Sequence, residues 1–217
     1  MDNYEKLTIS IRYWMLGKGF FTALEAMSYA SKFHTGFRKD GITPEFMHQV
    51  SIAHYLRSLT PHLMFPEETF CAAFLHDVVE DYDPTADDII ELFGERSGLA
   101  VRLLTKTSKD KKRLPDYYGE IAECPIASAG KGADRVHNIQ SMPGVFTLGG
   151  QKWYIEETEK YILPMLKQAR RNFPRQEMAY ENIKHMLVSQ VQLIKAIHEA
   201  GEKNNGPSTL PKPQLQG

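Results

Sequence analysis

The stretch Ala72-Ala73-Phe74-Leu75 runs directly into His76-Asp77-Val78-Val79-Glu80-Asp81, so an apolar helix ends in one imidazole and three carboxylates. On a helix His76 and Glu80 lie one turn apart on a shared face, and Asp77 and Asp81 do the same. Asp83 and Pro84 follow at once. The negative end of the helix dipole thus carries the charges it tolerates least, where Lys or Arg would be favoured. Any fold of this chain has to bring positive charge to that helix end, and a divalent cation is the natural candidate. A local rule broken without local gain marks a functional position.

The rest of the chain reads as helix. Apolar residues recur at helical spacing over 4–16 and over 21–33, where Leu24, Met27, Ala30 and Phe33 form one face. A loop around Gly36–Gly41 comes next. Thr43 and Pro44 then read as N-cap and first residue of a helix carrying His48, Val50, Ala53 and Leu56. Helices are expected over 66–80, from Thr85 to Gly94, over 96–106 and over 125–142, with long amphipathic ones over 151–172 and 175–200 separated at Pro174. Alternating β-branched runs are missing, so the expected class is all-α. One domain over 1–200 is predicted, followed by a disordered tail over 201–217 with three prolines and three glycines.

Composition narrows the setting. At 217 residues the chain is long enough to bury a core, and 42% hydrophobic with 24% charged residues is ordinary for a soluble globular protein. A formal net charge of −1 gives no global field for nucleic acid or an anionic membrane. No apolar run approaches the ~18 residues of a membrane span. The first residues lack the pattern of a secretory signal. Cys71 and Cys124 form neither a disulfide framework nor a CxxC pair, and Cys71 reads as core. The expected compartment is the cytoplasm.

Three separated segments converge on one chemistry. His48, the His76-Asp77 pair and Asp134 would give two imidazoles and two carboxylates to one ion. That mixed nitrogen and oxygen set suits Mn²⁺, Fe²⁺ or Zn²⁺ and argues against a thiolate zinc site. Singly, each residue has a plainer reading; Asp134 beside Arg135, for instance, reads as a solvated pair. Lys109-Asp110-Lys111-Lys112-Arg113 reads as a solvated loop, with a phosphate clamp as the sharper alternative. Ile183, Leu187, Ile194 and Ile197 read as a core stripe, and Trp153 and Tyr154 as packing residues.

Taken together, these segments resemble the hydrolase domain of the RelA/SpoT family, a branch of the HD phosphohydrolases that degrades the alarmones ppGpp and pppGpp. The resemblance rests on His34-Thr35-Gly36, Pro44 with His48 four residues on, and Phe74-Leu75-His76-Asp77-Val78-Val79-Glu80-Asp81. It continues through Phe93-Gly94, Leu104-Thr105-Lys106 and Lys131-Gly132-Ala133-Asp134-Arg135-Val136-His137-Asn138. Order and spacing agree over about 20–145. The resemblance implies an all-helical HD-domain bundle in a small, hydrolase-only form. It implies one Mn²⁺ held by His48, His76, Asp77 and Asp134, with Glu80 and Asp81 polarising and orienting the attacking water. Asn138 and Ser141 are expected at the ribose and 3′-phosphate.

Where the family has Tyr and Pro around the first ligand, this chain has Glu45 and Gln49. The spacing between Gly36 and Pro44 leaves both Arg38 and Lys39 open for the base contact. A flat guanidinium stacks on a purine and donates from a fixed fork, which favours Arg38 for the base and Lys39 for phosphate or solvent. The implied reaction is hydrolysis of the 3′-pyrophosphate of (p)ppGpp to GDP or GTP and pyrophosphate. An NADPH 2′-phosphatase, or another purine nucleotide phosphohydrolase, would suit the same fold and metal. An antitoxin neutralising a cognate alarmone synthetase is a reading of a different class.

Overall fold

The computed structural model describes residues 2–106 and 113–204. Eleven α-helices account for most of them, and the only strand-like feature among the described residues is an isolated antiparallel bridge between Phe37 and Pro44. No helix among them is long and apolar enough to cross a membrane. In chain order the helices are α1 (Asn3–Lys18), α2 (Phe21–Ala30), α3 (Met47–Leu59), α4 (Pro66–Asp81), α5 (Ala86–Phe93) and α6 (Glu95–Leu104). They continue with α7 (Leu114–Ala122), α8 (Pro125–Ser141), α9 (Leu148–Glu157), α10 (Leu163–Asn172) and α11 (Glu177–Asn204).

Helix α4 is the centre of the bundle, packed by α2, α3, α6 and α8. Thr69 to His76 are buried without interruption, as a helix apolar all round must be. Pro66 opens it at a position needing no N–H donor. Its Glu67 serves a neighbour: Oε1 accepts the backbone N–H of Thr22 at 2.7 Å, capping α2, whose own N-cap Phe20 offers no side-chain acceptor. Cys71 is core, as expected.

Helix α8 is the second buried axis, and it is built from small residues. Ala127, Ser128, Ala129, Gly130, Gly132 and Ala133 let its neighbours approach closely. A Cβ on Gly132 would lie 2.7 Å from Ile183 Cγ2 on α11 and 3.1 Å from Leu166 Cδ2 on α10. Gly98 on α6 is tighter still, with a Cβ position 2.7 Å from the backbone nitrogen of Ile90 on α5.

Several sequence expectations are corrected. Thr43-Pro44 does not cap a helix. The Asp40 carboxylate captures the local donors instead, with Oδ1 accepting the N–H groups of Ile42 and Thr43, and Gly41 turns the chain at φ +70. Helix α3 therefore opens at Met47, with Val50, Ala53 and Leu56 buried as expected. The segment 114–122, not expected to be helical, forms α7 with Pro115 in its first turn. The expected continuous helix over 151–172 is divided by a π-helical turn at Thr158–Ile162, where Pro164 brings no N–H to the ladder. In the terminal stripe Ile183, Leu187 and Ile194 are core, but Ile197 is 54% exposed. Helix α11 is described through Asn204; residues 205–217 of the expected tail, and most of the Lys109–Arg113 segment, lie outside the described residues.

Two glycine substitutions separate packing from propensity. Gly98→Ala forces α5 and α6 apart and should destabilise the protein by about 1–3 kcal/mol. Gly119→Ala, on α7 with nothing within 4 Å of its Cβ position, should stabilise it by up to about 1 kcal/mol. Urea unfolding of the two variants checks both signs.

Candidate active site

The bundle brings the four sequence-predicted ligands together from three helices. His48 is the second residue of α3, His76 and Asp77 lie near the end of α4, and Asp134 sits midway along α8. His48, His76 and Asp77 each offer a ligand atom, all within 4.8 Å of one another. Asp134 Oδ1 is 3.1 Å from His48 Nε2 and 3.9 Å from His76 Nε2. His76 Nε2 is 3.0 Å from Asp77 Oδ1, and His48 Nε2 is 3.9 Å from Asp77 Oδ2.

The atoms behind this cluster set its chemistry. His76 Nδ1 lies 3.0 Å from the Ala73 carbonyl, which can only accept, so Nδ1 carries a proton and Nε2 is the nitrogen turned toward the carboxylates. That Nε2 is buried and makes no hydrogen bond: Asp77 is close, but not aligned as a partner. A buried imidazole nitrogen facing carboxylates calls for positive charge, supplied by a proton on Nε2 or by a cation held between them. Asp77 Oδ2 accepts from Gln49 Nε2 at 3.1 Å. Asp134 accepts from Lys131 Nζ at 3.0 Å and from Asn138 Nδ2 at 2.6 Å. His48 Nδ1 is 2.7 Å from His137 Nδ1.

Electrostatics point the same way. Burial works against the charged form of His76, but Asp77 and then Asp134 outweigh it and raise the imidazole to about 9. Burial also opposes ionisation of Asp77 and Asp134, yet His76 and His48 hold Asp77 below the usual carboxylate range, and Lys131 with the two histidines does so for Asp134. The cluster is an anionic cage that stabilises positive charge at its centre. Two imidazole nitrogens and two carboxylates fit a first-row divalent ion as donors. Glu80 and Asp81 differ: burial raises both carboxyls, with Asp77 adding to the effect. His137 is pushed down to about 3 by burial, then by His48 and Arg38.

A cleft of about 550 Å³ opens onto the cluster. Arg38, Lys39, Glu80, Asp81, Asn138 and Ser141 all line it, so every expected substrate and catalytic position faces one space. Arg38 Nη2 donates to Ser141 Oγ at 3.4 Å, and Lys39 Nζ lies 4.4 Å from the centre of the Phe146 ring. Asn138 is partly committed to Asp134. Trp153 and Tyr154, read from the sequence as packing residues, are only half-buried and line the cleft.

Sequence reasoning missed four contributors. Lys131 and His137 stood within the quoted motif and needed only helical spacing from Asp134 to be found. Gln49 is recognisable only by its contact. Glu157 left no local signal: it is buried and binds Arg135, accepts from Lys106 Nζ at 3.1 Å and from the Tyr118 hydroxyl at 3.0 Å. Asp134 and Arg135 are therefore no solvated pair. Both are buried, and each has its own partner of opposite charge.

A family model described as HD domain matches residues 26–114. The guanosine-3′,5′-bis(diphosphate) 3′-pyrophosphohydrolase of Aquifex aeolicus is 31% identical over 146 residues, covering 64% of this chain and 20% of that protein. The GTP pyrophosphokinase rsh of Brucella melitensis is 30% identical over 150 residues, covering 65% of this chain and 19% of its own length. The chain thus spans about a fifth of these relatives. The human guanosine-3′,5′-bis(diphosphate) 3′-pyrophosphohydrolase MESH1 is 27% identical over 157 residues, covering 66% of this chain and 82% of that protein. A solved structure described as "A metazoan ortholog of SpoT hydrolyzes ppGpp and plays a role in starvation responses" shares the fold, with a TM-score of 0.57 and 24% identity over 75% of this chain and 93% of the other. Residues 26–114 thus match the HD-domain model, and about two thirds of the chain is similar in sequence to guanosine-3′,5′-bis(diphosphate) 3′-pyrophosphohydrolases.

Proposed function

We propose that the protein hydrolyses the 3′-pyrophosphate of ppGpp and pppGpp, releasing pyrophosphate and GDP or GTP, with Mn²⁺ as its metal. The observation that carries this is the convergence of His48, His76, Asp77 and Asp134 beside Glu80 and Asp81 in one cleft, in a chain similar in sequence to such enzymes. Two free cysteines fit a reducing compartment, and we place the reaction in the cytoplasm.

The ligand set would be His48 Nε2, His76 Nε2 and one oxygen each of Asp77 and Asp134. When bound there, a divalent cation supplies Lewis acidity that makes hydroxide accessible near neutral pH. Glu80 and Asp81 follow Asp77 by three and four residues on the same helix and line the cleft. Their raised pKa values suit them to hold the attacking water and accept its proton. Water attacks the 3′-linked phosphorus, the bond to the ribose O3′ breaks, and a proton returns to O3′. Asn138 and Ser141 orient the ribose and 3′-phosphate. Arg38 covers the purine, and Lys39 contributes charge toward phosphate.

Metal removal is the first test. Protein stripped by a chelator should lose ppGpp hydrolysis and recover it best with Mn²⁺, in a panel that also offers NADPH and ordinary nucleotides. Full activity in excess chelator would refute the metal reading, and turnover of NADPH alone would redirect the substrate.

Binding and turnover should separate by residue. Glu80→Gln and Asp81→Asn should keep the metal while lowering kcat by about 10²-fold or more, the scale of a lost acid or base. Asp77→Asn should lose metal as well. Elemental analysis beside steady-state kinetics decides between these patterns.

Base recognition gives a third test. Arg38→Ala should weaken substrate binding by about 1–2 kcal/mol, roughly tenfold, with metal content unchanged. Lys39→Ala should be milder and more sensitive to salt. The reverse ranking in KM would assign the base to Lys39.

A further inference from the structure

We infer that His137 is a positioning residue for the metal centre: by accepting the Nδ1 proton of His48, it leaves the Nε2 lone pair of His48 free to bind a cation. This rests on the metal reading above and adds to it a residue outside the ligand and catalytic sets.

The argument is one of proton counting. The two Nδ1 atoms of His48 and His137 are 2.7 Å apart, with ring centres at 4.8 Å, so one proton lies between them. If His137 donates it, neutral His48 carries its own proton on Nε2, facing Asp134 Oδ1 at 3.1 Å, and cannot ligate. If His48 donates it, Nε2 is a free donor to metal. The two ligand histidines thus reach the same state by different means. His76 is held by the Ala73 carbonyl, which never donates. His48 relies on a ring that can play either part.

A cation on His48 Nε2 removes that ambiguity. It requires the proton on His48 Nδ1, makes His137 Nδ1 the acceptor, and so moves the His137 proton to its Nε2. His137 lines the cleft. Metal binding therefore also fixes which nitrogen of His137 is a donor. The residue is three positions beyond Asp134, one turn along the same face of α8, so one helix supplies both a ligand and the orientation of another ligand.

The test uses the full chain and metal alone. In calorimetric titration with Mn²⁺, His137→Phe keeps a flat ring but removes the acceptor and should weaken affinity by about 10- to 100-fold. His137→Gln restores an acceptor oxygen and should stay within a few-fold of the unsubstituted protein. Equal affinity for His137→Phe and the unsubstituted protein would overturn the inference. Nitrogen-15 NMR of the unsubstituted protein loaded with diamagnetic Zn²⁺ gives an answer that does not depend on any variant folding. The expected pattern is His48 protonated at Nδ1 and His137 protonated at Nε2 alone; a proton on His137 Nδ1 would overturn it. If the unsubstituted protein binds neither ion, the metal reading itself fails, and this inference falls with it.

Discussion

Everything in this molecule is arranged around a buried carboxylate, Asp134. An isolated ionised carboxylate in a protein interior would sooner take up a proton than stay charged. Here it stays charged because its own helix surrounds it. Lys131 lies three residues before it and donates to Oδ2; Asn138 lies four after it and donates to Oδ1. His48 of α3 and His76 of α4 complete the surroundings. The helical repeat of α8 thus determines which atoms can reach the His/Asp cluster. The unfavourable end of α4 is tolerable because α8 delivers this charged face against it.

The neighbouring residue on α8 serves the other side of the cleft. Arg135 is 3% exposed, pairs with Glu157, and donates to the Tyr154 carbonyl at 3.2 Å. Glu157 also accepts from Lys106, whose backbone N–H reaches Glu80 at 3.4 Å. A buried acid at the end of α9 therefore ties a cleft-lining lysine to the segment facing Glu80. Two successive residues on one helix, Asp134 and Arg135, point into separate charge networks, which an alternating pattern of charge along the sequence does not reveal.

Helical periodicity made the bundle legible, because apolar spacing is a property of each segment alone. The His/Asp cluster was legible for a related reason: His76 and Asp77 stand where charge is locally unfavourable, and Asp134 lies in a motif of fixed spacing. What the sequence hid depends on competition or on distance. The start of α3 was lost because the Asp40 side chain outcompetes Thr43 for the local N–H donors. Helix α7 is short and carries Pro115 and Gly119, which obscure its pattern. The break between α9 and α10 follows from Pro164 acting on the turn before it. Glu157 becomes significant only when α8 is beside it, and no window of sequence holds both partners.

The close approach at Gly132 has a consequence for how the molecule comes into being. All four residues of the His/Asp cluster precede residue 135, yet the helix bearing Asp134 is clasped on its small-residue side by Leu166 and Ile183. Those contacts join positions some thirty to fifty residues apart, so they raise the contact order of the segment that finishes the site. The four side chains of the cluster are thus synthesised before the residues that hold α8 in place. Their alignment depends on α11 and α10 packing against α8, contacts that close long stretches of chain.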